Sequence, residues 1–184
     1  MKSKLSFLVC LVVIGLLTGS ARADIVVSAL PAQQSFAPGP GSTTLDLIAD
    51  IPEPDAIIGF GIDALIDTLL GPGNLTIDNV TIGTEFDLIA APDGDELAGI
   101  IPPFDSLWGD GVLLATVGVS WDDVGIWTVT PSVTPGDLTE GFPTPTGFAD
   151  VSSFVGAQIT APEPGSLALT LLAGIALLRR RRAA

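Results

Sequence analysis

The distribution of charge is the feature that most constrains how this chain can fold. All 21 acidic residues lie between Asp24 and Glu163, whereas the 7 basic residues are confined to the two ends of the chain. The basic residues are Lys2, Lys4, Arg22 and Arg179 to Arg182, and the chain has no histidine. The acidic segment therefore cannot form salt bridges between its own side chains. Its stability has to come from apolar burial and backbone hydrogen bonding.

The acidic segment is rich in Ile, Val and Leu, unlike disordered acidic chains, and its apolar residues recur with the period of two that is typical of β-strands. In LDLIADI, the alternate residues Leu45, Leu47, Ala49 and Ile51 share one face. The other runs of this kind are DIVVSAL, IGFGIDAL (Ile58, Phe60, Ile62, Ala64), VLLATVGVSW (Leu113, Ala115, Val117, Val119, Trp121) and GIWTVT. We predict an all-β fold, with a single Ig-like β-sandwich over residues 24–160.

Clusters of Gly, Pro and Asp separate these runs and predict turns at residues 37–41, 71–74, 92–95, 109–111, 122–123 and 134–137. In NLTIDNVTI the apolar parity changes after Ile77, which predicts a bulge or tight turn at Asp78 and Asn79. DALIDTLLG is the one run in which a short helix competes with a strand.

The N-terminal sequence has the layout of a secretory signal peptide. Lys2 and Lys4 precede the apolar run 5–17, and Ala21-Arg22-Ala23 forms a small-x-small cleavage site. We predict a signal helix over residues 1–23 that engages the secretion machinery and is removed by signal peptidase after Ala23. A retained membrane anchor is the alternative. Cleavage removes Cys10, the only cysteine, so we expect no disulfide in the mature protein.

A second apolar run, residues 165–178, is followed by four consecutive arginines. As a helix this run spans about 21 Å at 1.5 Å per residue, which is short for a hydrocarbon core of about 30 Å. We predict a short transmembrane helix. The positive-inside rule places Arg179 to Arg182 in the cytoplasm and the acidic segment outside. A plain membrane anchor is the simplest interpretation of these features alone.

The tail carries a more specific pattern. Pro162-Glu163-Pro164, the apolar run and the cluster Arg179, Arg180, Arg181 and Arg182, in this order, closely resemble the PEP-CTERM sorting signal of bacteria. The resemblance covers residues 161–184. It implies that exosortase, a membrane-embedded enzyme, cuts the tail near Pro162 to Pro164. It also implies a precursor held transiently in the inner membrane and then released to the cell surface or extracellular matrix.

The order of the middle elements resembles cohesin-like modules of the bacterial β-sandwich type. An early extended strand, DIVVSAL, leads to a Pro-Gly turn and LDLIADI, and a late Gly-Asp-Gly sequence enters LLATVGVSW. Cohesin-like modules bind partner proteins through a sheet face, so this resemblance implies a binding module. No dockerin calcium repeat accompanies it in the sequence.

Two groups of residues are candidate ligand sites. Asp93, Asp95 and Glu96 form the densest carboxylate cluster, and their hard oxygen atoms suit calcium. The EF-hand pattern fails, however, and a solvated turn is the simpler interpretation. Trp108, Trp121 and Trp127 could form a platform for sugar rings, but a core position is favoured because Trp121 falls on the apolar side of its strand. We expect no other cofactor.

These features lead to a prediction of function. A uniformly negative surface repels phosphate, so we expect no nucleic-acid binding. Without histidine, cysteine, lysine or arginine in the mature domain, nearly every nucleophile–base arrangement is excluded, and we predict that the protein is not an enzyme. We expect a structural or protein-binding module with a matrix protein or polysaccharide as partner. The alternatives are a carbohydrate-binding module with exposed tryptophan and a glycoside hydrolase that uses only carboxylates.

Overall fold

The computed structural model describes residues 25–88, 97–102, 105–134, 137, 139–163 and 165. Within these ranges the chain forms β-strands and one short 3-10 helix, Glu53–Asp55. The strands are β1 Ile25–Leu30, β2 Gln33–Ser35, β3 Gly41–Ile51, β4 Gly59–Gly61, β5 Asp63–Leu70, β6 Leu75–Ile82, β7 Asp87–Leu88, β8 Ala98–Ile100, β9 Gly109–Trp121, β10 Gly125–Ser132, β11 Phe142–Thr144, β12 Gly147–Ala149, β13 Val151–Val155 and β14 Ala157–Ala161. The predicted signal helix and, apart from Gly165, the predicted transmembrane helix lie outside the described residues.

Two sheets form the predicted β-sandwich. The five-stranded sheet has the order β13-β1-β3-β9-β6, and the four-stranded sheet has the order β2-β14-β10-β5. Neighbouring strands are antiparallel except in the pairs β1–β13 and β2–β14. The chain passes directly from one sheet to the other between β1 and β2, β2 and β3, β5 and β6, β9 and β10, and β13 and β14. These repeated crossings keep the sheets together over a common core.

The core lies between the inner faces of the two sheets. Leu45, Leu47, Ala49 and Ile51 of β3 are buried as predicted, and they form one cluster with Trp127 of β10 in the opposite sheet. Because burial of apolar surface contributes roughly 25 cal/mol per Å², this cluster is the main source of stability in a segment that has no cationic side chain.

Two further predictions about the strands are confirmed. The register between β6 and β9 shifts between Ile77 and Asn79, so the expected bulge lies at Asp78. The run at residues 63–70 is the strand β5 and not a helix. All of its residues except Leu69 pair with β10, with a register shift between Ile126 and Trp127, because tertiary pairing decides a run whose sequence pattern suits either structure.

Three sequence predictions need correction. The register between β3 and β9 shifts after Leu47, so that Leu114 is buried and Leu113 is 39% exposed. The expected turn at 109–111 is the beginning of β9, where the amide of Gly111 donates to Asp50 Oδ1 at 2.7 Å. The run IGFGIDAL buries Phe60 and Ile62 but is not one strand, since β4 and β5 belong to different sheets.

The sandwich has two distinct ends. At the Trp end, Gly41 pairs with Trp121 and Gly125 pairs with Ala161. The opposite end is covered by the three-stranded sheet β4-β8-β7 and the hairpin β11–β12. Reciprocal backbone hydrogen bonds of 2.9 and 2.7 Å between Gly61 and Gly141 connect these two small units. We call this the acid end, because the buried Glu140 lies there.

Candidate functional site

The predicted calcium ligands lie outside the described residues. Asp93, Asp95 and Glu96 fall in the gap between residues 88 and 97, so their role stays a prediction. In the part of the chain that the structure describes, no group of three or more Asp, Glu, Cys or His side chains is arranged to hold a metal ion.

The three tryptophans do not form a common binding platform. Trp121 and Trp127 are only 4% and 0% exposed, and their ring centroids are 6.1 Å apart in the core. Trp121 Nε1 donates to Gly39 O at 2.9 Å, and Trp127 Nε1 donates to Gly73 O at 3.1 Å. The core interpretation is therefore correct for both rings. Trp108 is 55% exposed and remains the one candidate of the three for contact with a ligand.

The outer face of the five-stranded sheet is polar, and its carboxylates accept hydrogen bonds from hydroxyl groups. Thr116 Oγ1 donates to Asp46 Oδ1 at 2.7 Å, and Ser120 Oγ donates to Asp78 Oδ1 at 2.9 Å. The bulge at Asp78 also brings the Asn79 side chain against Gly118 of β9, beside a shallow groove of about 360 Å³. Because Asp46 and Asp78 already accept hydrogen bonds from neighbouring hydroxyl groups, fewer of their acceptor positions are left for a ligand.

The four-stranded sheet differs, because its outer edge is apolar. Leu65, Leu69 and Leu70 of β5 are 52%, 55% and 66% exposed. We call these three residues the leucine edge. Among the described residues β5 pairs only with β10, so its other edge has no strand partner there. Other exposed apolar side chains, including Trp108, Leu113, Phe148 and Val155, are spread over several strands and loops.

The backbone register shows why sequence reasoning missed the leucine edge. Asp63, Leu65 and Asp67 pair with Ser132, Thr130 and Thr128, which alternate with the buried residues of β10. These three residues of β5 therefore point outward together. The sequence does contain a signal, because Leu65 alternates with Asp63 and Asp67 and so falls on the same side of the strand as these two aspartates. An exposed apolar patch is a candidate contact surface, and Leu65 belongs to one with Leu69 and Leu70.

A second acidic feature lies at the acid end. Glu140 is 7% exposed and accepts a hydrogen bond from the amide of Thr134, while Thr134 Oγ1 donates to Asp63 Oδ2 at 3.1 Å. Burial raises the pKa of Glu140; the Thr134 amide opposes this rise, and the charges of Asp63 and Asp137 add to it. Asp137 also accepts the amide of Thr139 at 2.8 Å.

Among the described carboxylates, Glu140 and Asp137 come nearest to the arrangement expected of a glycoside hydrolase that uses only carboxylates. Glu140, Asp137 and Phe148 border a cavity of about 380 Å³. A glycoside hydrolase requires an acid and a second carboxylate that both face the substrate. Here Glu140 accepts the amide of Thr134 and Asp137 accepts the amide of Thr139, so these hydrogen bonds hold the loop that follows β10.

A third cavity lies at the Trp end, where the described chain reaches the predicted sorting signal. Pro162 is half-buried and Glu163 is exposed, and both follow β14 directly. Together with Leu70, Val124 and Ile126 they border an open cavity of about 350 Å³. We call the corner formed by these five residues the exit corner.

The other residues of the predicted targeting signals lie outside the described residues: Ala21 and Ala23 at the signal peptidase site, Pro164, and Arg179 to Arg182. Within the described ranges, no helix has the length and apolar character needed to cross a membrane. The targeting signals therefore stay predictions.

No family model matches the chain, and no curated protein matches it. Solved structures with a similar fold include the seventh ScaB type I cohesin from Pseudobacteroides cellulosolvens, with 14% identity, a TM-score of 0.47 and coverage of 76% of this chain and 94% of that chain. A non-cellulosomal cohesin from the hyperthermophilic archaeon Archaeoglobus fulgidus has 13% identity, a TM-score of 0.49 and coverage of 80% and 98%.

A third similar structure is the third cohesin ScaC of Acetivibrio cellulolyticus, solved in complex with the ScaB dockerin. Its identity is 10%, its TM-score is 0.48, and the match covers 76% of this chain and 99% of that chain. The solved structures are thus of the class that the sequence resembles. Because the TM-scores and identities are low, this likeness carries no conclusion about what the present chain binds.

Proposed function

We propose that this protein is an exported bacterial surface or matrix protein that acts as a non-catalytic module and binds another protein through the leucine edge. The observation that carries the proposal is the exposure of Leu65 and Leu69, at 52% and 55%, on a strand whose outer edge is unpaired among the described residues. Long apolar edge strands are normally avoided or covered, because they are templates for pairing with another chain.

The proposed mode of binding is addition of a strand to β5. An extended segment of the partner would form backbone hydrogen bonds with the free edge, while its apolar side chains pack on Leu65 and Leu69. Asp67 lies between these leucines and is exposed. Because the acidic segment has no Lys or Arg, positive charge at this interface has to come from the partner. A partner segment with alternating apolar and basic residues fits these requirements.

Export and sorting are part of the same proposal. The first described strand begins at Ile25, two residues after the proposed signal peptidase site at Ala23, and the last strand ends at Ala161, next to Pro162. These bounds support a domain of residues 24–160 between two targeting signals that are both removed. The proposed route is secretion, transient anchoring in the inner membrane, cleavage by exosortase near Pro162 to Pro164, and release to the surface or matrix.

A photo-crosslinking experiment in the producing bacterium tests the binding proposal. A photoreactive amino acid is placed at Leu65 or Leu69, with the same substitution at Leu113 as the control. Leu113 is also exposed, at 39%, but belongs to the other sheet. We expect a discrete crosslinked protein from positions 65 and 69 and none from position 113. Absence of any crosslink at the leucine edge, or equal crosslinking at all three positions, would contradict the proposal.

A carbohydrate-binding module is the second candidate, and the exposure of Trp108 is the observation that favours it. A single exposed indole can stack on a sugar ring, whereas Trp121 and Trp127 are buried. Glycan-array binding by the purified domain that is lost in Trp108→Ala would support this candidate. Binding that persists in Trp108→Ala would exclude Trp108 as the contact.

A further inference from the structure

We infer that the exit corner is the part of the domain that rests on the lipid bilayer while the precursor is anchored. This inference rests on the anchoring step of the proposed function and adds a membrane-contact surface to it. The occupant of the corner is a neutral, zwitterionic lipid surface.

The position of the corner on the chain gives the first argument. Ala161 is buried and paired with Gly125, so it is fixed in the four-stranded sheet. Pro162 borders the cavity, and the apolar run begins at Gly165. Three residue steps separate Pro162 from Gly165, and an extended chain covers at most about 3.6 Å per residue. If the run spans the membrane, the corner has to lie within about 11 Å of the point where the chain enters it.

The chemistry of the corner gives the second argument. Leu70 is 66% exposed, which is more than any other large apolar side chain in the described part of the chain. It pairs with Ile126 at the end of β5, and Val124 and Pro162 complete an apolar rim. Short tethering would place this rim against the interface, where apolar side chains are stabilised by leaving water.

Charge decides which lipid suits the corner. Every charged side chain of the segment between Asp24 and Glu163 is negative, so an anionic bilayer repels the domain and no Lys or Arg there offsets the repulsion. Contact through Leu70 and Ile126 does not require charge. A zwitterionic bilayer is therefore preferred over an anionic one.

Site-directed fluorescence on the full chain tests the inference. Cys10→Ser removes the only cysteine, and Leu70→Cys or Phe148→Cys then carries one environment-sensitive label. Phe148 is the matched control, since it is 56% exposed but belongs to the hairpin at the acid end. Each labelled chain is reconstituted into phosphatidylcholine vesicles, floated on a density gradient, and titrated with an aqueous quencher.

We expect both labelled chains to float, and we expect the quenching constant at position 70 to be about threefold lower than at position 148, because an interfacial side chain lies about 5–10 Å into the headgroup boundary. Replacing a third of the phosphatidylcholine by phosphatidylglycerol should reduce this protection.

Three results would overturn the inference. Flotation with equal quenching at both positions would reject the corner while leaving the anchor in place. Failure to float would reject the anchor and the corner together. Protection of position 70 without vesicles would show that another part of the chain covers the corner.

Discussion

At the Trp end of the sandwich, the buried hydrogen bonds to the loops come from neutral indole N–H groups, whereas at the acid end they are made by buried and half-buried carboxylates. Trp121 and Trp127 donate to the carbonyls of Gly39 and Gly73. Glu140 instead accepts the amide of Thr134. Both solutions follow from the absence of cationic side chains in the acidic segment, because every polar link has to use a neutral donor.

The two ends differ in how far their linking side chains fill the core and in whether their contribution to stability depends on pH. The tryptophans fill the core as well as donating, and Gly125 and Gly73 leave room for the Trp127 ring: an added Cβ would lie 2.4 and 2.9 Å from its Cζ2 atom. Their contribution does not depend on protonation. The contribution of Glu140 does, since its pKa is raised by burial. The two ends should therefore respond differently to substitution and to pH.

The largest expected effect is at the Trp end. Trp127→Ala removes a fully buried ring and the hydrogen bond to Gly73, and should lower the free energy of unfolding by about 3–5 kcal/mol. Urea unfolding of residues 24–163, followed by circular dichroism, measures it. Trp108→Ala is the matched control and should change the free energy by less than about 0.5 kcal/mol. Equal effects of the two substitutions would contradict the assignment of Trp127 to the core.

At the acid end the expected effect is smaller and has the opposite sign at neutral pH. A raised folded pKa means that the stability contributed by Glu140 is fully present below its unfolded pKa of about 4.3 and is lost as pH rises through the folded pKa. Glu140→Gln keeps an acceptor for the Thr134 amide without the buried charge. The variant should be more stable than wild type at pH 7, and the advantage should vanish toward pH 4.

Glu140→Ala provides the control for this prediction, because it removes both the charge and the acceptor. It should be less stable than Glu140→Gln at every pH. Unfolding curves in which Glu140→Gln is less stable than wild type at pH 7 would show that the charge of Glu140 stabilises the loop.

The smallest expected effect belongs to an exposed carboxylate at the Trp end. Asp122 accepts the backbone amide of Asn74 at 2.7 Å and its side-chain amide at 3.1 Å, and the backbone bond is the main cause of its lowered pKa. A lowered folded pKa gives stability that is present above the unfolded pKa, about 3.9, and is lost as pH falls through the folded pKa.

Asp122→Ala should therefore destabilise the domain slightly at pH 7, and the difference from wild type should close as the pH falls through the folded pKa. Asp110→Asn removes the same charge from an exposed position on β9 and serves as the control. If the two variants behave alike, net charge and not the contact with Asn74 accounts for the effect of Asp122.

Much of the fold followed from the sequence because it depends on period-two alternation, which is local. The inward face of β3, the strand GIWTVT and the bulge at Asp78 were predicted from that pattern alone. The errors arose where pairing between distant strands changes the parity. Leu113 turns outward because the register with β3 shifts, and Gly109 to Gly111 extend a strand because Asp50 and β3 lie beside them.

The candidate surfaces were less predictable for the same physical reason. The sequence shows that Leu65 shares its parity with Asp63 and Asp67, but only the sheet order shows that β5 lies at an edge among the described residues. The exit corner likewise brings Leu70 beside Pro162 across two strand pairings. The targeting signals, in contrast, are patterns of consecutive residues and can be proposed without a fold.

The central claim is that this domain is held by its apolar core and neutral donors against the repulsion of like charges. The most direct test is urea unfolding of residues 24–163 at increasing sodium chloride concentration, since urea adds no charge. Screening shortens the Debye length from about 30 Å at 0.01 M to about 3 Å at 1 M. We predict that the free energy of unfolding rises with salt, with most of the gain at low concentration. A free energy that stays constant or falls over this range would contradict the claim.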